Sequence, residues 1–385
     1  MIRGGETKRH FQRATAMLIG TIIGVGIFGV PYVVAQSGVL IGTLYFVLLT
    51  AAVLLTHLFF GELTLRTVAH HRLVGYATVY FGQWGRRVAA LSGVLGMYGA
   101  LLAYLIVSGE FLHALLGGIL DFSPRTWSII FAVVGILVIA CGLRLIEEVE
   151  FLLTAFLFLA MAFVVLVSVQ RINISHWVTV DSARAFLPYG AILFSISGAS
   201  VIAEIRDTLR GRERLLSRVI IWGTLAAAIT TLIFTLVVVG VTGSATTPEA
   251  IAGLASAVGR SVVIIGALLG FLAIATSFLT LGLYLKEVFQ LDFHQSRSTA
   301  MILGLGVPFA AFLIGNPNFT EVIIITGAIF GGLDGILIAL LVLRARKFGD
   351  RKPEFTLRVP AAVNWLLVLI FTVGIVATVW EVFGR

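Results

Sequence analysis

The residues of this chain that could do chemistry are few, and they stand in apolar surroundings. The segment GTIIGVGIFGVP, residues 20–31, sets Gly20, Gly24, Gly26 and Gly29 ahead of Pro31 within one greasy run. Glycine costs a helix interior about 1 kcal/mol relative to alanine, and proline about 3. Two readings account for that cost. The small residues form a face on which a second helix packs closely. Alternatively the helix unwinds at Gly24, Val25 and Gly26. The N–H groups opening one half-helix, with its positive dipole end, can then hold a carboxylate, and the carbonyls closing the other suit a cation or an ammonium group. A second run, PYGAILFSISGASVIAE, clusters Ser195, Ser197, Gly198, Ala199 and Ser200.

Ionisable groups within apolar stretches are costly and mostly functional. Glu62 precedes Arg66 at helical spacing, which favours a structural ion pair or a gate over proton transfer. Glu204 stands beside Arg206, Asp207 and Arg210, as an inner gate network or plain interface solvation. Glu110 and His113 share one face near a span end, and His57 reads as a bonded interior histidine. Asp334, in GAIFGGLDGILIALL, has no cation ahead of it until Arg344. It is the strongest candidate for a titrating, proton-coupling group, with a satisfied packing role as the alternative. The adjacent hydroxyls Thr276 and Ser277 either bond back to their own helix or join neutral oxygens around a hard cation.

These residues need elements to hold them, and composition says what kind. Of 385 residues 59% are hydrophobic and 12% charged, with a mean hydropathy of +1.06. A water-exposed surface cannot be built from that composition. A bilayer core ~30 Å thick takes about 20 helical residues to cross. Apolar runs of that kind predict eleven spans, at 14–36, 39–65, 88–118, 125–143, 149–169, 185–205, 219–241, 259–285, 298–315, 320–343 and 362–382. With the N-terminus cytoplasmic, 22 of the 27 basic residues fall on the inner side. That bias predicts a multi-pass protein of the cytoplasmic membrane with the C-terminus outside. It also makes the net charge of +8 a topology signal, with no nucleic-acid partner. The charged start MIRGGETKRHFQR lacks a cleavable signal pattern, so the first span is expected to be retained. The one cysteine, Cys141, excludes an internal disulfide. His70-His71 lacks the spacing of a zinc hydrolase, and no GxSxG or phosphate loop occurs, which argues against an enzyme.

Spans 1–5 and 6–10 read as two oppositely inserted repeats, 14–169 and 185–343, with an extra helix at 362–382. The linkers agree. Residues 67–87 join spans 2 and 3 on the inside, and 242–258 join spans 7 and 8 on the outside. The second linker predicts a short helix capped by Thr246 or Thr247, with Pro248 in its first turn and Glu249 at its positive end. Each half opens on a span weakened near its middle. Such a pair is the best sequence pointer to a transporter's central site.

The run Gly20-Thr21-Ile22-Ile23-Gly24-Val25-Gly26-Ile27-Phe28, followed by Pro31 and Gly38, resembles the first helix of the amino acid/polyamine/organocation superfamily. The chain is most similar to the hydroxy/aromatic amino acid permeases (tryptophan/tyrosine permeases). The resemblance implies an all-α leucine-transporter fold, a single domain over 1–385 whose helices 1 and 6 are broken in mid-membrane. It carries the substrate carboxylate to Gly24, Val25 and Gly26, and the amino group to helix 6 near Ser195, Ser197 and Gly198. The substrate side chain would meet helix 3 at Met97, Tyr98, Leu101 and Tyr104. A sodium ion would sit between the carbonyls of Gly20, Ile23 and Ala273 and the hydroxyls of Thr276 and Ser277. Some proton-driven relatives carry a lysine in helix 5, and 149–169 has none.

The expectation is a symporter for an amino acid, neutral and aromatic or hydrophobic, working by alternating access with Na⁺ or H⁺ and no other cofactor. Its gate or proton-coupling candidates are Glu62, Glu204 and Asp334, and its partners are the substrate and the bilayer. The alternatives are another organic solute, such as a nucleobase or polyamine, or a sensor of the same fold that does not transport.

Overall fold

The computed structural model describes residues 2–141, 156, 158–159 and 161–383. Among them helices follow one another without a strand. Helix α1 (Ile2–Ile22) and α2 (Gly26–Ser37) meet at a bend of 54°. Pro31 lies inside α2, where its missing N–H weakens the turn before it. Gly38 then reverses the chain at φ 101°, with Thr179 and Val180 too close to admit a side chain. Next come α3 (Val39–Arg66), α4 (Leu73–Leu116) and α5 (Pro124–Cys141). Gly82 (φ 65°) interrupts α4, so residues 73–81 form a separate short helix within the first linker.

After the short α6 (Met161–Arg171), α7 (Leu187–Ile196) and α8 (Ile202–Thr208) lie either side of an irregular stretch. Helices α9 (Leu216–Thr242), α10 (Arg260–Glu287), α11 (Arg297–Gly315), α12 (Phe319–Phe348) and α13 (Ala361–Phe383) complete the chain. The second linker forms its helix later than its sequence predicts. Ala250 takes φ 65°, and the helical turns begin at Ala252. Glu249 accepts from the Ala252 N–H and Thr247 from the Gly253 N–H, so these two side chains cap the turn while Pro248 stays outside it.

Nine helical runs among the described residues are long and apolar enough to cross a membrane, or ten with the bent α1–α2 pair. The chain is therefore a multi-pass membrane protein. Of the eleven spans expected, 149–169 lies partly outside the described residues, which there are 156, 158–159 and 161–169. Two apolar cores hold the helices together. The larger joins α1, α2, α3, α7, α9 and α12 through residues such as Phe46, Phe60 and Ile192. The smaller joins α4, α5, α10 and α11 through Leu101, Phe131, Phe278 and Leu305.

Candidate functional site

Between α1 and α2 the main chain leaves its regular hydrogen bonds. In an unbroken helix the Gly24 N–H would bond the Gly20 carbonyl; here it turns to Ile22 O at 3.1 Å. The Ile27 N–H, due to Ile23 O, reaches Gly24 O instead at 3.4 Å. The carbonyls of Gly20 and Ile23 are thereby released. The N–H groups of Val25 and Gly26 find no main-chain partner among the described residues. The Ile23 side chain is buried, so that residue can offer only backbone atoms.

The chain is irregular again after α7. Ser197 is extended (ψ 138°) and Gly198 leads into a single 3-10 turn. The Gly198 N–H donates to His57 Nε2 at 3.1 Å. That bond needs a lone pair on Nε2, which places the ring proton on Nδ1, 2.9 Å from Thr224 Oγ1. His57 thus fastens α3, α9 and the irregular stretch together, the bonded interior role its sequence context suggests. The hydroxyls of Ser195 and Ser197 are spent on Ile192 O (2.9 Å) and Leu193 O (2.6 Å).

The two irregular stretches touch. A methyl on Gly26 would come within 2.9 Å of the Ser195 Cα, and one on Gly198 would run into Ile22. Both readings of the glycine run therefore hold at once: the backbone loses its winding, and the small residues let it approach its partner.

Beside them opens a cavity of about 1420 Å³. Gly20, Gly24, Val25, Gly26, Ser197 and Gly198 line it, with Met97 and Tyr104 of α4 and Ser277 of α10. Its mouth lies among Arg13, His70, Arg72 and Glu204. Beyond the α1–α2 bend the space is stopped by Phe28, whose ring meets those of Phe111 (5.1 Å) and Phe234 (6.2 Å) edge-on.

Several candidates fall outside the lining. Leu101 is fully buried in the smaller core, and Tyr98 donates to Leu303 O at 2.6 Å. Residues 97, 100 and 104 face the cavity, and 98 and 101 are turned about 100° further round the helix. Ser195, Ile23, Ala273 and Thr276 do not line it either. The Thr276 hydroxyl bonds Ala273 O at 2.9 Å, within its own helix. Thr280, unread in the sequence, does line it, and its hydroxyl is buried without a partner. The spacing of Ser277, Thr280 and Tyr284 along one helix face was the available signal.

The carboxylates differ sharply. Glu62 is fully buried and held by Arg66 (2.8 Å), Arg346 (2.9 Å) and the Leu357 N–H (3.1 Å), which is a structural knot. Glu204 is half exposed, 3.8 Å from Arg72, and His70 pairs with Asp207 next to it. Asp334 lines the cavity, and its Oδ1 is buried with no hydrogen-bond partner among the described residues.

Comparison with known proteins follows this geometry. The structure of MhsT in complex with L-phenylalanine superposes with a TM-score of 0.60 over 97% of this chain and 98% of that one, at 18% identity. The two share a fold. No curated protein matches by sequence. Residues 7–381 match the tryptophan/tyrosine permease family. A family match over nearly the whole length, on a multi-pass helical body with a central cavity, makes the protein a transporter rather than an enzyme: the chain belongs to the tryptophan/tyrosine permease family.

Proposed function

We propose that the protein is a secondary transporter that moves a neutral amino acid, hydrophobic or aromatic, across the cytoplasmic membrane together with Na⁺ or H⁺. One observation carries this reading. Two stretches of unwound main chain meet beside one cavity, with free N–H groups on one and helix-end carbonyls on the other. A zwitterion matches that pair: its carboxylate suits Val25 and Gly26 N–H, and its ammonium suits the carbonyls closing α7. Met97 and Tyr104 flank the space left for its side chain.

In this reading α1 and α2 form the broken first helix of one repeat, and α7 and α8 that of an inverted second repeat. Residues 14–169 and 185–343 are the repeats, within a single transport domain of eleven helices. The N-terminus is cytoplasmic, so the mouth among Arg13 and Arg72 faces the cell interior. The cluster of Phe28, Phe111 and Phe234 closes the outer side. Sodium, where it is the driving ion, sits between the freed Gly20 and Ile23 carbonyls, Ala273 O and the hydroxyls of Thr276 and Ser277. Thr276 would then turn from its helix carbonyl to the ion.

The test is uptake of radiolabelled amino acids into proteoliposomes under imposed Na⁺ or pH gradients. Accumulation of aromatic or large apolar amino acids under one of these gradients is expected. No gradient-driven accumulation across the full set of amino acids refutes the proposal. If sodium drives uptake, Thr276→Ala should weaken its sodium dependence; an unaltered dependence removes that ion site.

A further inference from the structure

Asp334 stands where a carboxylate has least support. It follows a π-helical turn, Thr326–Gly331, at the start of the second α-helical part of α12, Gly332–Phe348. Such turns inside α-helices gather at functional sites. Gly331 and Gly335, on either side of it, also line the cavity. Gly331 faces Leu193 and Ser197 of α7, and Gly335 packs on Phe371 of α13. The carboxyl is thus set at the joint between α12 and the irregular stretch after α7, on the wall of the cavity.

Among the described residues no cation is paired with it. From α4 it meets Ser92, whose hydroxyl donates to Phe330 O at 3.1 Å. A serine has one proton to give, and Phe330 O and the Asp334 carboxyl compete for it. The histidine of α3, His57, has both ring nitrogens engaged by Thr224 and Gly198. From α7 comes Ser197, whose proton goes to Leu193 O, and α13 brings the phenyl ring of Phe371. On α12 itself the nearest charges are Glu321 and Arg344. Arg13, Arg72, Arg86, His70, His71 and Glu204 line the cavity towards its mouth.

A metal ion does not fit this environment. Hard cations gather about six oxygen ligands, and around Asp334 the oxygens of Ser92 and Phe330 already bond each other. Among the described residues no group of three His, Cys, Asp or Glu side chains comes together. A proton needs only one oxygen, and a protonated Asp334 no longer competes with Phe330 O for the Ser92 hydroxyl.

We propose that Asp334 is the proton-carrying group of the transport cycle, protonated when the amino acid binds and deprotonated after its release. This rests on the transporter reading above and names the coupling ion and its site. The step is a simple transfer. Hydronium in the cavity gives its proton to an Asp334 oxygen, leaving water and a neutral carboxyl, and water takes the proton back once the amino acid has left. Coupling follows from charge. The carboxylate of the amino acid and that of Asp334 share one poorly hydrated cavity, where like charges repel. Neutralising Asp334 therefore favours binding, and binding favours protonation by the same factor.

The experiment is equilibrium binding of radiolabelled L-tryptophan, L-tyrosine or L-phenylalanine to the purified full chain from about pH 5 to about pH 9. The wild-type Kd should rise with pH, by up to about tenfold per unit, over the range where Asp334 titrates. Asp334→Asn should bind with a Kd that no longer changes with pH. Asp334→Glu should restore the dependence with a displaced midpoint. A pH indicator in weakly buffered solution should report proton uptake on amino acid addition by the wild type and none by Asp334→Asn. An asparagine variant that keeps the wild-type slope overturns the proposal. So does a wild-type Kd that falls with rising pH, the sign expected if Asp334 paired with the ammonium group. Should the asparagine variant fail to bind, the glutamate variant decides, and an unmoved midpoint overturns the assignment. Absence of binding by the wild type at every pH refutes the transporter reading itself; intact binding with no pH dependence refutes Asp334 alone.

Discussion

Gly26 and Gly24 sit two residues apart on the same bend, yet they face unlike neighbours. A Cβ on Gly26 would stand 2.9 Å from the Ser195 Cα and 2.8 Å from the Phe194 ring, and a main-chain atom in the middle of the fold cannot step aside. A Cβ on Gly24 would meet only the Tyr104 hydroxyl, at 3.2 Å, the far end of a side chain rather than main chain. Overpacking of the first kind costs about 1–3 kcal/mol, or roughly tenfold and more in an equilibrium constant. Gly26→Ala should therefore lower aromatic amino acid uptake by about tenfold or more, and Gly24→Ala by clearly less. Matched losses in a proteoliposome assay would mean that the contact between the two unwound stretches is not what positions the site.

Helices α3 and α12 and the connection between α12 and α13 are held by one carboxylate. Glu62 receives two arginines, Arg66 from its own helix and Arg346 from α12, and the Leu357 N–H of the connection. Arg351 adds bonds to Leu65 O and Arg66 O, and Asp350 accepts from the Val68 N–H. Removing one partner of a buried pair leaves uncompensated charge and costs about 3–5 kcal/mol. Glu62→Ala is expected to cost about 3 kcal/mol and to lower the melting temperature of the detergent-solubilised protein. An unchanged melting temperature would show that the arginines find water or lipid instead. The network spans elements close to 300 residues apart in sequence and ties α12 and its following connection to α3.

At the scale of the molecule, the cavity is lined by residues of both cores' helices, and its lining includes the exposed Arg13, Arg72 and Arg86. Beyond the α1–α2 bend the space is stopped by buried aromatic rings packed edge-on. If the cavity is open on the basic side and closed on the other, as proposed above, Ser277 is reached by water from the basic side alone. The chain offers a clean background for testing this, because Cys141 is its single cysteine and is exposed. In a Cys141→Ser protein, Ser277→Cys should react with a membrane-impermeant thiol reagent in inside-out vesicles, several-fold faster than in right-side-out ones. Equal labelling from both sides would contradict a cavity closed outward.

The sequence by itself determined the membrane-spanning helical class and the family, and it pointed to the bend between α1 and α2. Each of these is written in contiguous residues: apolar runs of bilayer length, glycines ahead of a proline. The tertiary structure decided which side chains meet there. Its pairings join residues far apart, such as His57 with Gly198, Ser92 with Phe330 and Glu62 with Arg346, and no local pattern announces them. It also decided azimuth. Tyr98 and Leu101 lie on the expected helix but face the smaller core, because α4 must bury one side against α5 and α11, and only packing fixes how far a helix is rotated about its own axis.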